Sequence, residues 1–164
     1  MKAAVLRWAE PKDMKAVLGL IQELADFEKE PEAIVISEDD LLEHAFGGQP
    51  KFQCFVAEKQ GQVVGMALFY PRYSTWKGPT FHLEDLIVTQ KERGTGLGKA
   101  LYTKFIAYAE AQGVRRIEWV VLDWNTNAVN FYENSGADVL EDWRTVQMDQ
   151  AAMRRYLAKE NENI

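Results

Sequence analysis

The residues from Arg93 to Lys99 include glycines at positions 94, 96 and 98, between a strand-like run and a helix-like run. A glycine-rich turn that leaves a strand and opens a helix presents several backbone N–H groups to one point. No Cβ atoms block the approach of a ligand, and the helix dipole adds partial positive charge. The pattern therefore predicts a binding site for a phosphate or pyrophosphate.

Three kinds of phosphate loop can be compared with this stretch. The Walker loop requires Ser or Thr after Gly-Lys, but Ala100 follows Gly98-Lys99, so no hydroxyl is available for magnesium. The dinucleotide fingerprint fails because its third glycine has the wrong spacing and no βαβ unit opens the chain. The pattern Arg-x-x-Gly-x-Gly, formed by Arg93, Gly96 and Gly98, resembles the acyl-CoA pyrophosphate loop of the GNAT N-acetyltransferases. A turn that only starts a helix is the remaining interpretation.

Hydrophobic periodicity predicts the elements that position this loop. Apolar side chains recur at helical spacing over 14–25, which indicates an amphipathic helix, and Ser37 is a suitable N-cap for a second, short helix. The other predicted elements are strands over 3–7, 52–59, 63–70 and 80–88, the main helix over 97–108, a strand over 116–122, a helix over 125–134, one or two strands over 139–149 and a terminal helix over 151–159. This order predicts a mixed α/β sheet in one domain.

Two blocks of the chain resemble the acetyl-CoA core of the GNAT superfamily: the segment 83–98 and the segment 121–137. Further matches resemble the diamine (spermidine/spermine) acetyltransferase family, most closely its thialysine-acetylating subgroup. These matches are Glu28, 40–43, 46–47, 73–78 and 83–85. The resemblance covers about residues 4 to 149. It implies an α/β GNAT fold, a mixed and mostly antiparallel central sheet flanked by helices, as a single domain over 1–164.

The resemblance also implies the reaction and its co-substrate. The enzyme would transfer the acetyl group of acetyl-CoA to a primary amine of a small amine, by direct attack in a ternary complex and without a metal. Pantetheine amides would pair with the backbone of Leu86, Ile87 and Val88 as an added strand would. The remaining implied acetyl-CoA contacts are Arg93, Gly94, Thr95, Gly96, Leu97, Gly98, Lys99, Asn125 and Tyr132.

Acetyl transfer to an amine requires a base. An alkyl ammonium has a pKa of about 10.4, so it must lose a proton on the enzyme before its nitrogen attacks. Glu84, on the strand that leads to the loop, is the predicted base, acting either directly or through a water molecule. Its neighbour Asp85 points to the opposite face of a regular strand, so the two share this task only where a bulge turns one. Structural hydrogen bonding is the alternative role for both carboxylates.

Tyr132 is the predicted acid. Asn125 and Tyr132 are seven residues apart, so both project from one face of the same predicted helix. A phenol can donate a proton to the departing sulfur, and Asn125 can hydrogen-bond the pantetheine arm. The alternative is that Tyr132 packs the helix down, as Phe131 is expected to do.

The resemblance implies an acidic acceptor site. Glu28 matches a position that binds the distal ammonium of the substrate, and Phe27 stands where polyamine enzymes often have tyrosine. Ser74-Thr75 replaces the acidic-Pro pair of the polyamine branch, and Trp76 is either a wall for the methylene chain or a core residue. The predicted acceptor residues are Phe27, Glu28, Ser74, Trp76, Glu84, Asp85, Glu118, Trp119 and Val120.

Composition and charge indicate which partners, cellular location and metal sites to expect. The net charge of −6 disfavours a nucleic-acid partner and favours cationic ligands. No apolar run approaches the roughly 18 residues of a membrane span, and the sequence has no secretory signal, so we expect a cytoplasmic protein with no membrane partner. Cys54 is expected to be a buried, inert thiol, and His44 and His82 do not have metal-ligand spacing. The resemblance implies a homodimer.

Two alternatives stay open. A GNAT enzyme of another branch, acting on a protein N-terminus, a lysine side chain or an antibiotic amine, fits the net acidity equally well. A non-catalytic acyl-CoA-binding module is the second alternative, against which Glu84 and Tyr132 argue.

Overall fold

The computed structural model describes residues 4–161, which form two compact units, one ending at Leu122 and one beginning at Asp123. The first unit contains the strands β1 (Val5–Trp8), β2 (Gln53–Lys59), β3 (Gln62–Ser74), β4 (Gly78–Val88) and β5 (Ile117–Glu118), with the helices α1 (Met14–Phe27), α2 (Glu38–Phe46) and α3 (Leu97–Ala111). The second contains α4 (Thr126–Asn134) and α5 (Gln150–Asn161). That these residues act as one domain stays a prediction.

The strands form one sheet in the order β1-β2-β3-β4-β5. The first three pairings are antiparallel and the last is parallel, which confirms the predicted mixed, mostly antiparallel sheet. β5 pairs with β4 only at Phe81 and His82. The predicted strand over 116–122 is therefore wrong beyond Glu118, because the chain has no strand partner after these two residues.

The two long helices of the first unit cover opposite faces of the sheet. In β2, Cys54 and Val56 pack in a cluster with Val17 of α1. The intervening Phe55 instead contacts the ring of Tyr108 on α3, with 5.7 Å between ring centroids. Since successive side chains of a strand point to opposite faces, α1 and α3 lie on different sides.

Most local predictions of structure are confirmed. The apolar face of α1 is buried, and the Ser37 hydroxyl accepts a hydrogen bond from the Asp40 amide at the start of α2. The β2–β3 hairpin turns at Gln60 and Gly61, between the strands predicted over 52–59 and 63–70, although β3 continues to Ser74. Residue 3 of the predicted first strand lies outside the described residues.

The predicted strands over 139–149 are wrong, because this segment forms no strand. A strand needs backbone partners and a face that packs on something. All side chains from 140 to 149 are exposed, including the apolar Leu140, Trp143 and Val146.

Candidate active site

A β-bulge at Glu84 shapes the middle of β4. Leu83 is opposite Phe69 of β3 and Asp85 is opposite the adjacent Leu68, so Glu84 is an extra residue with no pairing partner on β3. Leu68 belongs to the cluster that faces α1, whereas Phe69 contacts Phe105 of α3. Side chains of β4 therefore change faces at the bulge.

The bulge brings three carboxylates together on the side of the sheet that α1 covers. Burial, with additional repulsion from Glu84 and Glu28, raises the pKa of Asp85 to about 7. Burial and the charge of Glu84 also raise the pKa of Glu28, which caps the C-terminus of α1. The bulge that would let Glu84 and Asp85 act together is thus present.

This cluster is suited to a cation. Because folding raises the pKa of Asp85 from 3.8 to about 7, the folded state loses stability as the pH rises between these two values, where the unfolded chain has already released the proton. An ammonium group placed among the three carboxylates would relieve that repulsion.

Two residues that the sequence analysis did not connect with catalysis contact Glu84. The Tyr70 hydroxyl donates a hydrogen bond of 2.9 Å to Glu84 Oε2. His82 Nε2 lies 3.5 Å from the same oxygen. The only sequence signal for these contacts is the cross-strand pairing of residues 70 and 82, which depends on the register of the hairpin.

The C-terminal half of α1 contacts the start of the glycine loop as well as the acidic cluster. Glu23 accepts hydrogen bonds from the Thr89 hydroxyl at 2.9 Å and from the Gln90 amide at 2.7 Å. One helical turn later, the ring of Phe27 lies 5.3 Å from the Arg93 guanidinium, a cation–π contact. The predicted contact of Phe27 with the acceptor stays a prediction, and in the structure its ring also contacts the loop.

The glycine loop has the conformation that the sequence suggested. Gly94 and Gly96 have φ values of 75° and 86°, which non-glycine residues rarely adopt. Gly96 is the N-cap of α3 and offers no side-chain acceptor, so the first amides of the helix can serve an anionic ligand. The Thr95 hydroxyl donates to the Glu92 carbonyl, and Lys99 is exposed.

One edge of β4 has no neighbouring strand beside the residues predicted to bind pantetheine. Leu86, Ile87 and Val88 pair on one side with β3. On the other side β5 reaches only as far as His82, and no other strand within residues 4–161 pairs there. The open edge leaves room for an added strand-like ligand.

The predicted acid lies in the second unit. Asn125 is the N-cap of α4 and its side chain accepts from the Ala128 amide at 3.3 Å. Tyr132 is half-buried on α4, and its ring meets that of Phe131 edge-on at 5.4 Å. The acetyl-CoA contacts and the acid role assigned to these residues stay predictions.

Several predicted acceptor residues do not join the acidic cluster. Ser74 is opposite Gly78 at the far end of the β3–β4 hairpin. Gly78 precedes Glu84 by six residues of β4, which corresponds to about 20 Å at the rise of a strand. Its hydroxyl accepts from the amides of Trp76 and Lys77 within the turn, and the Trp76 side chain is 76% exposed. Ser74 and Trp76 therefore cannot contact a short amine held at Glu84 of the same chain.

The three predicted acceptor residues around β5 lie in different surroundings. Glu118 forms ion pairs with Arg72 and Arg116, so its charge is already compensated. Trp119 meets Tyr102 of α3 edge-on at 5.8 Å, which suits a packing role, and Val120 is exposed. Their contacts with an acceptor stay predictions.

The predictions about the Cys54 thiol, a metal site and a membrane span concern features that the described residues can show. The Cys54 thiol is buried, and burial raises its pKa well above the ordinary value, as expected for an inert core thiol. Within residues 4–161 no group of His, Cys, Asp and Glu is arranged to hold a metal ion. None of the helices in that range combines the length and apolar composition needed to span a bilayer.

Comparison with known proteins agrees with this geometry. Residues 18–137 match the Acetyltransferase (GNAT) family. The chain belongs to the GNAT acetyltransferase family. GNAT acetyltransferases use acetyl-CoA as co-substrate, and this one is an acetyl-CoA-dependent N-acetyltransferase.

Individual relatives of this GNAT acetyltransferase cover most or part of its length. A thialysine N-epsilon-acetyltransferase of Bos taurus is 37% identical over 97% of this chain and 100% of its own. An L-ornithine N5-acetyltransferase of Arabidopsis thaliana is 38% identical over 64% of this chain and 47% of its own. A solved integron cassette protein from the mobile metagenome of V. cholerae has a TM-score of 0.77 at 21% identity, covering 97% of this chain and 99% of that one, and shows the same fold.

Gly98 offers a test of the acetyl-CoA loop that leaves the fold intact. A Cβ at Gly98 would meet only Val88 Cγ2, at the ordinary contact distance of 3.8 Å, so the protein itself can accept a side chain there. We expect Gly98→Val to raise the acetyl-CoA dissociation constant at least about tenfold, ~1.4 kcal/mol, because the branched side chain occupies the space of the pyrophosphate. Titration calorimetry with acetyl-CoA measures this.

The matched control is Gly19→Val, a glycine on the exposed side of α1 with nothing within 4 Å of an added Cβ. It makes the same chemical change in a helix, where valine is a better helix former than glycine, and should leave acetyl-CoA affinity unchanged. A folded Gly98→Val protein with wild-type affinity would show that acetyl-CoA does not use this loop.

Proposed function

We propose that this acetyltransferase moves the acetyl group of acetyl-CoA to a primary amine of a small molecule that carries a further charge, such as thialysine, a diamine or a polyamine. The observation that carries the proposal is the cluster of Glu28, Glu84 and Asp85 beside the glycine loop. Two of the similar proteins are named for thialysine and ornithine, which both carry a side-chain amine.

In the proposed reaction, Glu84 takes a proton from the substrate ammonium. The neutral nitrogen then attacks the thioester carbonyl carbon in a ternary complex, so that a C–N bond forms and the C–S bond breaks. Tyr132 donates its proton to the leaving thiolate, while the charges of Glu28 and Asp85 hold the substrate's second cationic group. The products are the N-acetyl amine and free CoA thiol.

The test is turnover of acetyl-CoA with a panel of amines, followed as release of free thiol. Thialysine, ornithine, a short diamine, spermine and a lysine-containing peptide form the panel. We expect turnover with the small amines and little with the peptide. Turnover only with the peptide would favour a protein acetyltransferase, and acetyl-CoA binding without thiol release for any amine would favour a non-catalytic binding module.

We also propose that the protein works as a homodimer with its acceptor site near the interface, and without nucleic-acid or membrane partners. Ser74 and Trp76 are about 20 Å from Glu84 along one chain, so they reach an acceptor only if a second copy presents its hairpin. The exposed Tyr73 and Trp76 at that hairpin are the kind of side chains that subunit interfaces bury. The net charge of −6 opposes binding to nucleic acid. A cytoplasmic location stays a prediction from the sequence.

Replacing Ser74 tests the contribution of the hairpin to acceptor choice. We expect the wild type to have a lower kcat/KM for spermine than for thialysine, because Ser74 stands where the polyamine branch has an acidic residue. Ser74→Asp should raise kcat/KM for spermine relative to thialysine by about 1 kcal/mol, roughly fivefold, by adding a carboxylate for the long polycation.

The control is Ser74→Asn, which keeps a side-chain acceptor for the turn amides without adding charge. Equal preferences in the two variants, or a wild type that already prefers spermine, would remove the hairpin from the acceptor site and leave the acetyltransferase assignment intact.

A further inference from the structure

The side chains of Tyr70 and His82 both contact the same carboxylate oxygen of Glu84. They are opposite each other on β3 and β4, and their rings stack with 5.1 Å between centroids and 27° between planes. The Tyr70 hydroxyl donates to Glu84 Oε2 at 2.9 Å, and His82 Nε2 is 3.5 Å from that same atom, within ion-pair distance but longer than an ordinary hydrogen bond. Neither contact involves Oε1.

A carboxylate held at one oxygen presents the other to its surroundings. We propose that Tyr70 and His82 are positioning residues, which hold Oε2 of Glu84 so that Oε1 receives the proton of the acceptor ammonium. The proton leaves the amine nitrogen for Oε1, Glu84 becomes neutral, and the lone pair left on nitrogen forms the new bond to the acetyl carbon. This inference rests on the proposed function, because it assumes that Glu84 is the base.

Tyr70 is suited to act as a lasting donor. Burial, together with the hydrogen bond to Glu84, raises the pKa of Tyr70 to about 12, so the phenol keeps its proton over the working range of pH. The stacked imidazole fixes the direction of the phenol ring, because the two planes are close to parallel.

The surroundings of His82 give no structural reason for an imidazole. Its side chain is only 12% exposed, and Nδ1 is buried with no hydrogen-bond partner among residues 4–161. A buried, unpaired polar atom destabilises a fold, and a phenylalanine would stack on Tyr70 without it. Among the described side chains, the contact of Nε2 with Glu84 is what distinguishes histidine from an apolar ring at this position.

Charged groups from each neighbouring element surround this arrangement. They are Glu28 at the end of α1, Arg72 on β3, Asp85 on β4 and Glu118 on β5. Glu118 is paired with arginines, so the acidic groups that compete with Glu84 for a proton are Glu28 and Asp85.

Single substitutions separate positioning from packing. Tyr70→Phe deletes one hydroxyl, and His82→Phe keeps a stacking ring while removing both nitrogens. We expect each to lower kcat for thialysine on the order of tenfold, with KM for acetyl-CoA within about twofold of wild type. The melting temperature of His82→Phe should not fall.

Two further variants test whether these residues act through Glu84. In a Glu84→Gln background, Tyr70→Phe should cause no additional loss of kcat, because the group that it positions is already gone. His82→Gln keeps an N–H donor near the place of Nε2 and should recover most of the activity that His82→Phe loses. Tyr108→Phe, which removes a hydroxyl bonded to Gln53 on the α3 side, is the matched control and should behave as wild type.

The outcomes are distinguishable. Turnover of small amines by the wild type with unchanged kcat in both phenylalanine variants overturns the inference and leaves the proposed function standing. Equal losses from Tyr70→Phe in the wild-type and Glu84→Gln backgrounds overturn it as well. A wild type that acetylates no small amine overturns the proposed function, and this inference with it.

Discussion

Replacing Glu84 by glutamine is expected to lower kcat/KM for the acceptor amine by about 10²–10⁴-fold at neutral pH. Glutamine has nearly the same shape and still offers an oxygen to the Tyr70 hydroxyl, but it cannot take a proton from an ammonium. Affinity for acetyl-CoA should be unchanged, because the loop that is predicted to bind it does not include Glu84. Thiol release with thialysine and calorimetry with acetyl-CoA give the two quantities.

The loss should shrink at high pH. An amine with a pKa of about 10.4 increasingly arrives neutral as the pH rises, so the variant needs a base less and less. Profiles of kcat/KM from pH 7 to 10 should therefore converge toward wild type. Glu110→Gln, an exposed substitution in the last turn of α3, is the control. A Glu84→Gln protein with full kcat/KM at pH 7 would leave Glu84 with a purely structural role.

Tyr132→Phe is expected to reduce kcat by roughly 10²-fold or more while acetyl-CoA affinity barely changes. The substitution removes only the hydroxyl, and the edge-on contact between the rings at 131 and 132 is preserved. The expelled thiolate then has no positioned proton donor, so collapse of the tetrahedral intermediate toward products slows. Steady-state kinetics at saturating amine measure the effect on kcat.

Tyr156→Phe is the matched control, because Tyr156 is an exposed tyrosine on α5 of the same unit. It loses an identical hydroxyl and should retain wild-type kinetics. If Tyr132→Phe also keeps its kcat, Tyr132 is a packing residue and the acid must be sought elsewhere, while the role of Glu84 is unaffected.

Local signals in the sequence predicted the parts of the fold that depend on local physics. The apolar stripe of α1, the cap at Ser37 and the turn at Gly61 each involve residues close together in the chain. The glycines at 94 and 96 likewise marked the turn into α3, where both have positive φ values that few other residues tolerate. These features fix the loop and one wall of the candidate site.

Features that depend on distant partners could not be predicted in this way. The segment 139–149 contains apolar residues at 139, 140, 143, 146 and 148 that suggested one or two strands, yet it has no strand partner among the described residues. Tyr70 and His82 became neighbours only through the register of β3 on β4, and nothing in their local sequence marks them as contacts of Glu84. Periodicity reports which face a side chain would take, and says nothing about what covers that face.

The bulge in β4 has a consequence for how such a site can arise and be altered. Leu83 and Asp85 are opposite adjacent residues of β3, so a chain lacking Glu84 would form an uninterrupted antiparallel ladder with every other side chain on its present face. The sheet is therefore complete without this residue, and its insertion disturbs no packing layer. Deleting a residue from most strands inverts the strand's core, but here deletion would remove the proposed base and spare the scaffold. The residues that form the sheet and the residue proposed as the base occupy separate positions of one strand. Evolution could therefore gain or lose the base without rebuilding the sheet.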